Sequence, residues 1–173
     1  MVYLLIPMDQ SLQPTSPSKK VSPKDVFLHL LAIIALYGSA GSFIALIFQY
    51  INVLIPDVLE YNMYARESAF GIIRWSIASL IIVFPLYLFT SRMLLKGYIQ
   101  DPEKRNFGIR KVLTYFTLFV AALIIAGDLV TLIYNLLGGG LTTQFLLKVG
   151  IVLFVAASVF YYYFWDLKRD NIE

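Results

Sequence analysis

Four stretches of this chain carry no Asp, Glu, Lys or Arg for long enough to span or nearly span a bilayer. They are residues 26–56, 75–91, 112–127 and 149–165, the third continuing through Asp128 to residue 136. A helix needs about 20 mostly apolar residues, rising ~1.5 Å each, to cross the hydrocarbon layer. With their flanks added, the runs predict helices at about 25–55, 69–95, 109–136 and 143–166.

Local signals fix several ends. Ser22-Pro23-Lys24-Asp25 reads as a helix start, with Ser22 as cap, Pro23 at the first helical position and Asp25 reaching back three residues later. Pro56 cannot continue the hydrogen-bond ladder and biases Ile55 away from helix. About 30 residues of first helix would reach ~45 Å, more than the hydrocarbon core, so tilt, a bend or a projecting end is expected. Gly38-Ser39-Ala40-Gly41-Ser42 is the expected place for a bend or close packing, and Pro85 marks a kink or hinge in the second helix. Gly138-Gly139-Gly140 leaves room for a tight turn only, so the third and fourth helices are antiparallel neighbours. The fold class expected is all-α, an antiparallel four-helix transmembrane bundle over residues 22–169. A flexible, Pro- and Ser-rich tail over 1–21 that does not resemble a cleaved signal peptide precedes it, and a short tail over 170–173 follows.

Composition agrees with this pattern. The chain is 59% hydrophobic, 16% aromatic and 14% charged with a mean hydropathy of +0.73, too apolar for a soluble domain of this size. It has no cysteine, which removes disulfides, thiolate metal sites and thiol redox chemistry from this chain.

Charge then sets the orientation. Of 14 Lys and Arg residues, Lys19, Lys20, Lys24, Arg92, Lys96, Lys104, Arg105, Arg110, Lys111, Lys168 and Arg169 fall on one side, against Arg66, Arg74 and Lys148 on the other. By the positive-inside rule both termini and the loop near 97–110 are cytoplasmic. The net charge of +3 is explained by insertion and anionic lipid, with no nucleic-acid partner implied. The run Phe160 to Trp165 reads as an interfacial aromatic belt, and Tyr61 and Tyr64 near the external loop as a second rim.

The candidate chemistry lies in the external half. Asp128 interrupts an apolar helix, and an ionisable group at membrane depth is a functional-site hypothesis by default. At 100° per residue Thr114, Thr117, Ala121, Ile124, Asp128, Thr131 and Asn135 share one sector of the third helix. Gly38, Gly41, Ser42, Ala45, Gln49 and Asn52 form a comparable sector on the first, and the two are expected to face each other. Arg74 and Lys148 lie about 6–8 Å, and Asp128 ~12 Å, below the outer ends of their helices, so a pair of Asp128 with Arg74, Lys148 or both is within reach, the alternative being that both cations snorkel to the interface and never touch it. Asp128 is open to two readings, a structural ion pair or an ion, proton or substrate site. His29, the sole histidine, cannot supply both axial ligands of a haem within one chain and reads as a hydrogen-bonded packing residue.

No paired catalytic carboxylates, Ser-His-Asp set, phosphate-cradling loop or metal-ligand spacing is present, so no enzyme activity, metal or cofactor is expected. The segments SPKDVFLHLLAIIALYGSAGSF, IRWSIASLIIVFPLYLF, DPEKRNFGIRKVLTYFTLFVAALIIAGDLVTLIYNLLGGGLTTQFLLKV and YYYFWDLKRD resemble a bacterial family of small four-helix membrane proteins catalogued as a domain of unknown function. The resemblance covers about residues 22–169 and implies a multi-pass protein of the bacterial inner membrane. It implies no activity.

The expected function is a homo-oligomeric channel or small transporter for an ion or small solute. Its external polar vestibule would contain Asp128, Arg74, Lys148, Gln49, Asn52, Thr131 and Asn135, with Gly38, Gly41, Ser42 and Pro85 as hinge or packing positions. The alternatives are an accessory subunit of a larger membrane complex, and a quinone- or haem-binding redox protein.

Overall fold

The computed structural model describes residues 22–55, 63–100 and 108–170. Four helices run antiparallel in sequence: α1 (Pro23–Leu54), α2 (Met63–Gln100), α3 (Gly108–Leu137) and α4 (Thr143–Asp170). Each holds an 18-residue window apolar enough to cross a membrane, and between 11% and 17% of that window is buried within the chain. The remaining apolar surface needs another covering.

Side chains are distributed inside out relative to a soluble protein. Trp75 is 75% exposed and Phe154 66%, whereas most buried positions are small or polar, among them Ala32, Ala35, Ser39, Ser76, Thr90, Thr114, Thr117, Ala121 and Ala156, with Ile51, Ile73 and Val149 the larger apolar ones. Lipid solvates the large apolar groups, and helices associate through residues that let their backbones approach. The chain is a multi-pass membrane protein.

α1 begins and ends as its sequence directs, with one difference. Ser22 is extended at the N-cap, Pro23 takes the first helical position, and the amides of Asp25 and Val26 donate to the Ser22 carbonyl at 2.9 and 3.2 Å. The expected side-chain cap is absent, because the Ser22 hydroxyl makes no capping bond. At the other end Ile55 leaves helical geometry immediately before Pro56.

α2 is longer than hydropathy predicts. It starts at Met63 instead of about 69 and runs to Gln100 instead of about 95. Polar residues form helix readily outside the hydrocarbon, so a charge-bounded window marks the lipid and not the helix end. Tyr64 is an exposed helical residue, and Arg66 lies 5.7 Å from the centre of the Phe70 ring. Tyr61 and the rest of 56–62 lie outside the described residues. α2 continues through Pro85, whose missing N–H leaves the Ile81 carbonyl without its usual helical donor.

The turn between α3 and α4 is a Schellman cap. Gly140 N–H donates to the Asn135 carbonyl at 3.0 Å, Gly139 N–H to that of Leu136 at 3.3 Å, and Gly139 adopts the left-handed φ of 68° that a side chain would strain. Thr142 caps α4, its hydroxyl accepting from Phe145 N–H at 3.1 Å.

Two antiparallel pairs result, α1 with α2 and α3 with α4. The α1–α4 contact joins them and α1 touches α3 marginally, while the backbones of α2 and of the α3–α4 pair do not pack together among the described residues. The end holding the α3–α4 turn is called the hairpin end below, and the end where α1 and α3 begin is the tail end.

This arrangement corrects the expected facing of α1 and α3. The small residues of α1 turn to α2: Ser42 donates to the Ser79 hydroxyl at 2.8 Å, and a Cβ at Gly38 would lie 3.3 Å from Val83 Cγ1. Gly41 has no neighbour within 4 Å of that position, so close packing is a property of Gly38 alone of the two.

Candidate functional site

Asp128 lies on the inward stripe of α3 that carries Thr114, Thr117 and Ala121, and is half-buried where those three are buried. Its Oδ2 is shielded from solvent and accepts no hydrogen bond. The fold leaves a carboxylate oxygen in an apolar setting without compensation, which is costly for a charged group.

The expected pairing with Arg74 and Lys148 does not form. Ala69, Ile73 and Ser76 make the buried face of α2, and Arg74 lies between about 100° and 160° around the helix from them, exposed on the side away from α1. The backbones of α2 and α3 make no close contact, and Arg74 forms no ion pair with Asp128 within the chain. Lys148 turns to α1, its Nζ 5.9 Å from the centre of the Phe48 ring, a contact that a cation finds favourable.

The uncharged members of the expected vestibule divide into two groups. Asn52 donates to Gln49 Oε1 at 3.0 Å and accepts from Gln144 Nε2 at 2.7 Å, tying α1 to α4. Gln144 was not singled out from sequence; its position in the first turn of a helix read as apolar gave no reason to expect it inside. Thr131 and Asn135 bond their own helix, donating to the Gly127 and Thr131 carbonyls at 2.8 and 2.9 Å. A single chain therefore does not assemble the vestibule.

A second cluster closes the tail end. Arg110 of α3 donates to Asp166 Oδ2 of α4 at 2.6 Å, and its guanidinium stands 5.3 Å from the centre of the Tyr98 ring of α2. The Tyr98 hydroxyl lies 2.6 Å from His29 Nε2, while His29 Nδ1 lies 2.7 Å from the Asp25 carbonyl one turn earlier. A carbonyl can only accept, so Nδ1 carries the proton; in the neutral ring Nε2 then accepts from Tyr98 O–H. With Nε2 so engaged, His29 presents no lone pair for a haem iron, which removes the basis for the haem reading in this geometry.

One side chain from each helix thus meets in this cluster. Next to it, Asp25, Leu28, His29, Met93, Leu94, Gly97 and Tyr98 line a cavity of about 20 Å³, room for one water. In the sequence Arg110 counts among the topology charges, and Asp166 stands beside Lys168 and Arg169 at the end of the last span. The usable signal was periodicity: Arg110 precedes Thr114 and Thr117 by four and seven residues, on the same polar stripe. Asp166 follows an aromatic run of which Tyr161, Tyr162, Phe164 and Trp165 are exposed, as a lipid-facing belt requires.

The arrangement offers charge neutralisation and hydrogen bonding. No group of three or more His, Cys, Asp or Glu is placed to hold a metal ion among the described residues.

Comparison with curated proteins and with solved structures finds no match. The family model described as "Domain of unknown function (DUF5671)" matches residues 25–163, most of the chain. With that span matched by one family model, the chain belongs to the DUF5671 family.

Proposed function

We propose that the protein is a homo-oligomeric channel or small transporter in which Asp128 receives a small cation or a proton. One observation carries the reading: the Asp128 Oδ2 is shielded and unbonded on the inward stripe of a membrane-spanning helix. A carboxylate so placed gains by taking a proton or a cation, and intramembrane carboxylates of this kind mark ion and proton routes. Because Arg74 and Lys148 point elsewhere, the polar path is completed by several copies and not by one. The positive-inside distribution supports a depth for Asp128 in the outer half of the membrane.

The test is ion flux into proteoliposomes holding the purified protein, wild type against Asp128→Asn, at several pH values. Flux that falls at least tenfold in the variant while the oligomer persists supports the reading. Flux equal in both, or absent from well-inserted wild-type protein, refutes it.

A second reading, an accessory subunit of a larger membrane complex, is favoured by the open side between α2 and α3. A helix of another protein inserted there would co-purify in mild detergent, and the isolated chain would then carry no flux.

A further inference from the structure

Deep in the hairpin half, Asp128 and Arg74 have no partner among the described residues, and their charges are opposite. Asp128 keeps a shielded, unbonded oxygen, and Arg74 stands exposed on the lipid-facing side of α2 within the apolar span Arg66–Ile99. Neither makes an ion pair or ring contact, whereas Arg66, Arg110 and Lys148 all do.

Their heights agree. Gly38 meets Val83 and Ser42 meets Ser79, so Arg74 stands level with about residue 47 of α1. Asn52 meets Gln144, and the antiparallel turn centred on Gly139 brings Asp128 level with about residue 150 of α4 and hence about residue 46 of α1. A residue rises ~1.5 Å, so the two groups share a depth to within a few ångströms. They do not pair within one chain, and the backbones of α2 and α3 make no close contact.

We propose that Arg74 of one copy and Asp128 of a second form an ion pair across the hairpin half of the side where the backbones of α2 and α3 do not pack together, making this side the contact between copies. Copies inserted with the same orientation are related by rotation about the membrane normal, which preserves depth, so groups level in one chain are level between chains. A two-fold arrangement places α2 of each copy against α3 of the other and forms the pair twice. The guanidinium fork suits a carboxylate, and lipid supplies no competing water at that depth. The contact rests on the oligomer proposed above; its test reads proximity instead of flux, so failure of the contact and failure of conduction are distinct results.

The chain lacks cysteine, so introduced thiols are the only ones present. Copies bearing Arg74→Cys and copies bearing Asp128→Cys are co-expressed and treated in native membranes with a bis-maleimide about 10 Å long, since an Arg–Asp pair holds its Cα atoms further apart than the ~5.5–6 Å of a disulfide. In a two-fold dimer of the two variants the reciprocal Arg74–Asp128 pair remains intact. The expected product is a covalent heterodimer, absent when either variant is expressed alone. The accompanying measurement is oligomer mass in mild detergent for Arg74→Asp, Asp128→Arg and the double variant. Each single swap is expected to weaken association about tenfold or more, and the double to restore it. No heterodimer, a crosslink confined to one chain bearing both cysteines, or a double variant as weak as the singles would overturn the proposal and leave Arg74 as a residue that reaches for lipid phosphate.

Discussion

Replacing Arg110 by Met takes the guanidinium from Asp166 and leaves the carboxylate where four helices converge. The pair is short, 2.6 Å, with Arg110 9% and Asp166 25% exposed at their side chains. Breaking a fully buried pair costs about 3–5 kcal/mol, whereas an exposed pair contributes ~0–1 kcal/mol. Asp166 keeps a quarter of its access and can be partly hydrated, so ~2–3 kcal/mol is the reasonable loss at this pair. The lost contact with the Tyr98 ring adds about 0.5–1 kcal/mol. The total of ~3 kcal/mol corresponds to more than a hundredfold in the unfolding equilibrium constant. Met is close to Arg in length and keeps the apolar stem packed, so the change reads the charge and not a cavity.

The assay is reversible unfolding in mixed micelles titrated with dodecyl sulfate, followed by circular dichroism. Adding Asp166→Leu to Arg110→Met removes the stranded carboxylate and is expected to recover ~2 kcal/mol or more, since an apolar pair replaces an ionic one at little cost. Interhelical polar contacts in membranes often measure less than their geometry suggests, because the unfolded state also finds partners. Stability of Arg110→Met within about 0.5 kcal/mol of wild type, or a double variant no better than the single, would show that the cluster is solvated and does not clamp the helices.

Two further perturbations isolate single contacts. Tyr98→Phe removes the O–H donor to His29 Nε2 and should cost ~1–2 kcal/mol; because His29 is the sole histidine, one imidazole ¹⁵N spectrum should show Nε2 shifting while Nδ1 stays protonated, and an unchanged spectrum would refute the assigned tautomer. Gly38→Ile forces a branched side chain against Val83, whereas Gly41→Ile meets open space; both gain similar helix propensity, so Gly38→Ile should be the less stable by ~1–3 kcal/mol, and equal midpoints in the same detergent titration would refute the close α1–α2 approach.

What the sequence made legible follows from which forces act locally. Charge-free length is a property of one helix, so four spans could be counted, and Pro56 and Gly139 act on their own backbone and stop helices where expected. The ends of α2 were misplaced because helix outside the lipid leaves no hydropathy signal. Neighbours were not legible either. Depth along each helix follows from residue counts, and Arg74 and Asp128 do share a depth, but nothing in their segments says that α2 lies against α1 and away from α3. The Arg110–Asp166 pair joins residues 56 apart, and a basic residue near a helix start has an ordinary reading as a topology signal. What distinguished it was its place on the stripe of Thr114 and Thr117, where lipid would not accept it.

The two ends of the bundle differ in how their cations are compensated, and the difference bears on function. At the tail end the buried Arg110 is neutralised by Asp166 and the His29 ring is hydrogen-bonded at both nitrogens from within one chain, although Asp25 Oδ2 is, like that of Asp128, shielded without a hydrogen bond. A membrane protein whose ionisable residues had only to hold helices together would satisfy them all in this manner, since each uncompensated group in the bilayer costs free energy and returns none. At the hairpin end Asp128 and Arg74 share a depth and lack partners, while the neighbouring Asn52, Gln49 and Gln144 are mutually bonded. The compensation missing there has to come from another molecule: a second copy, an ion, a proton or all in turn. If Arg74 of a second copy holds Asp128 when the site is empty, an arriving cation competes with a guanidinium for the same carboxylate, and occupancy of the site becomes linked to the contact between copies. Ion-dependent crosslinking between Arg74→Cys and Asp128→Cys copies cannot reveal that linkage, because Asp128 itself is replaced. Oligomer mass measured on wild-type protein across pH and cation concentration can, and a mass independent of both would confine Asp128 to holding the assembly together.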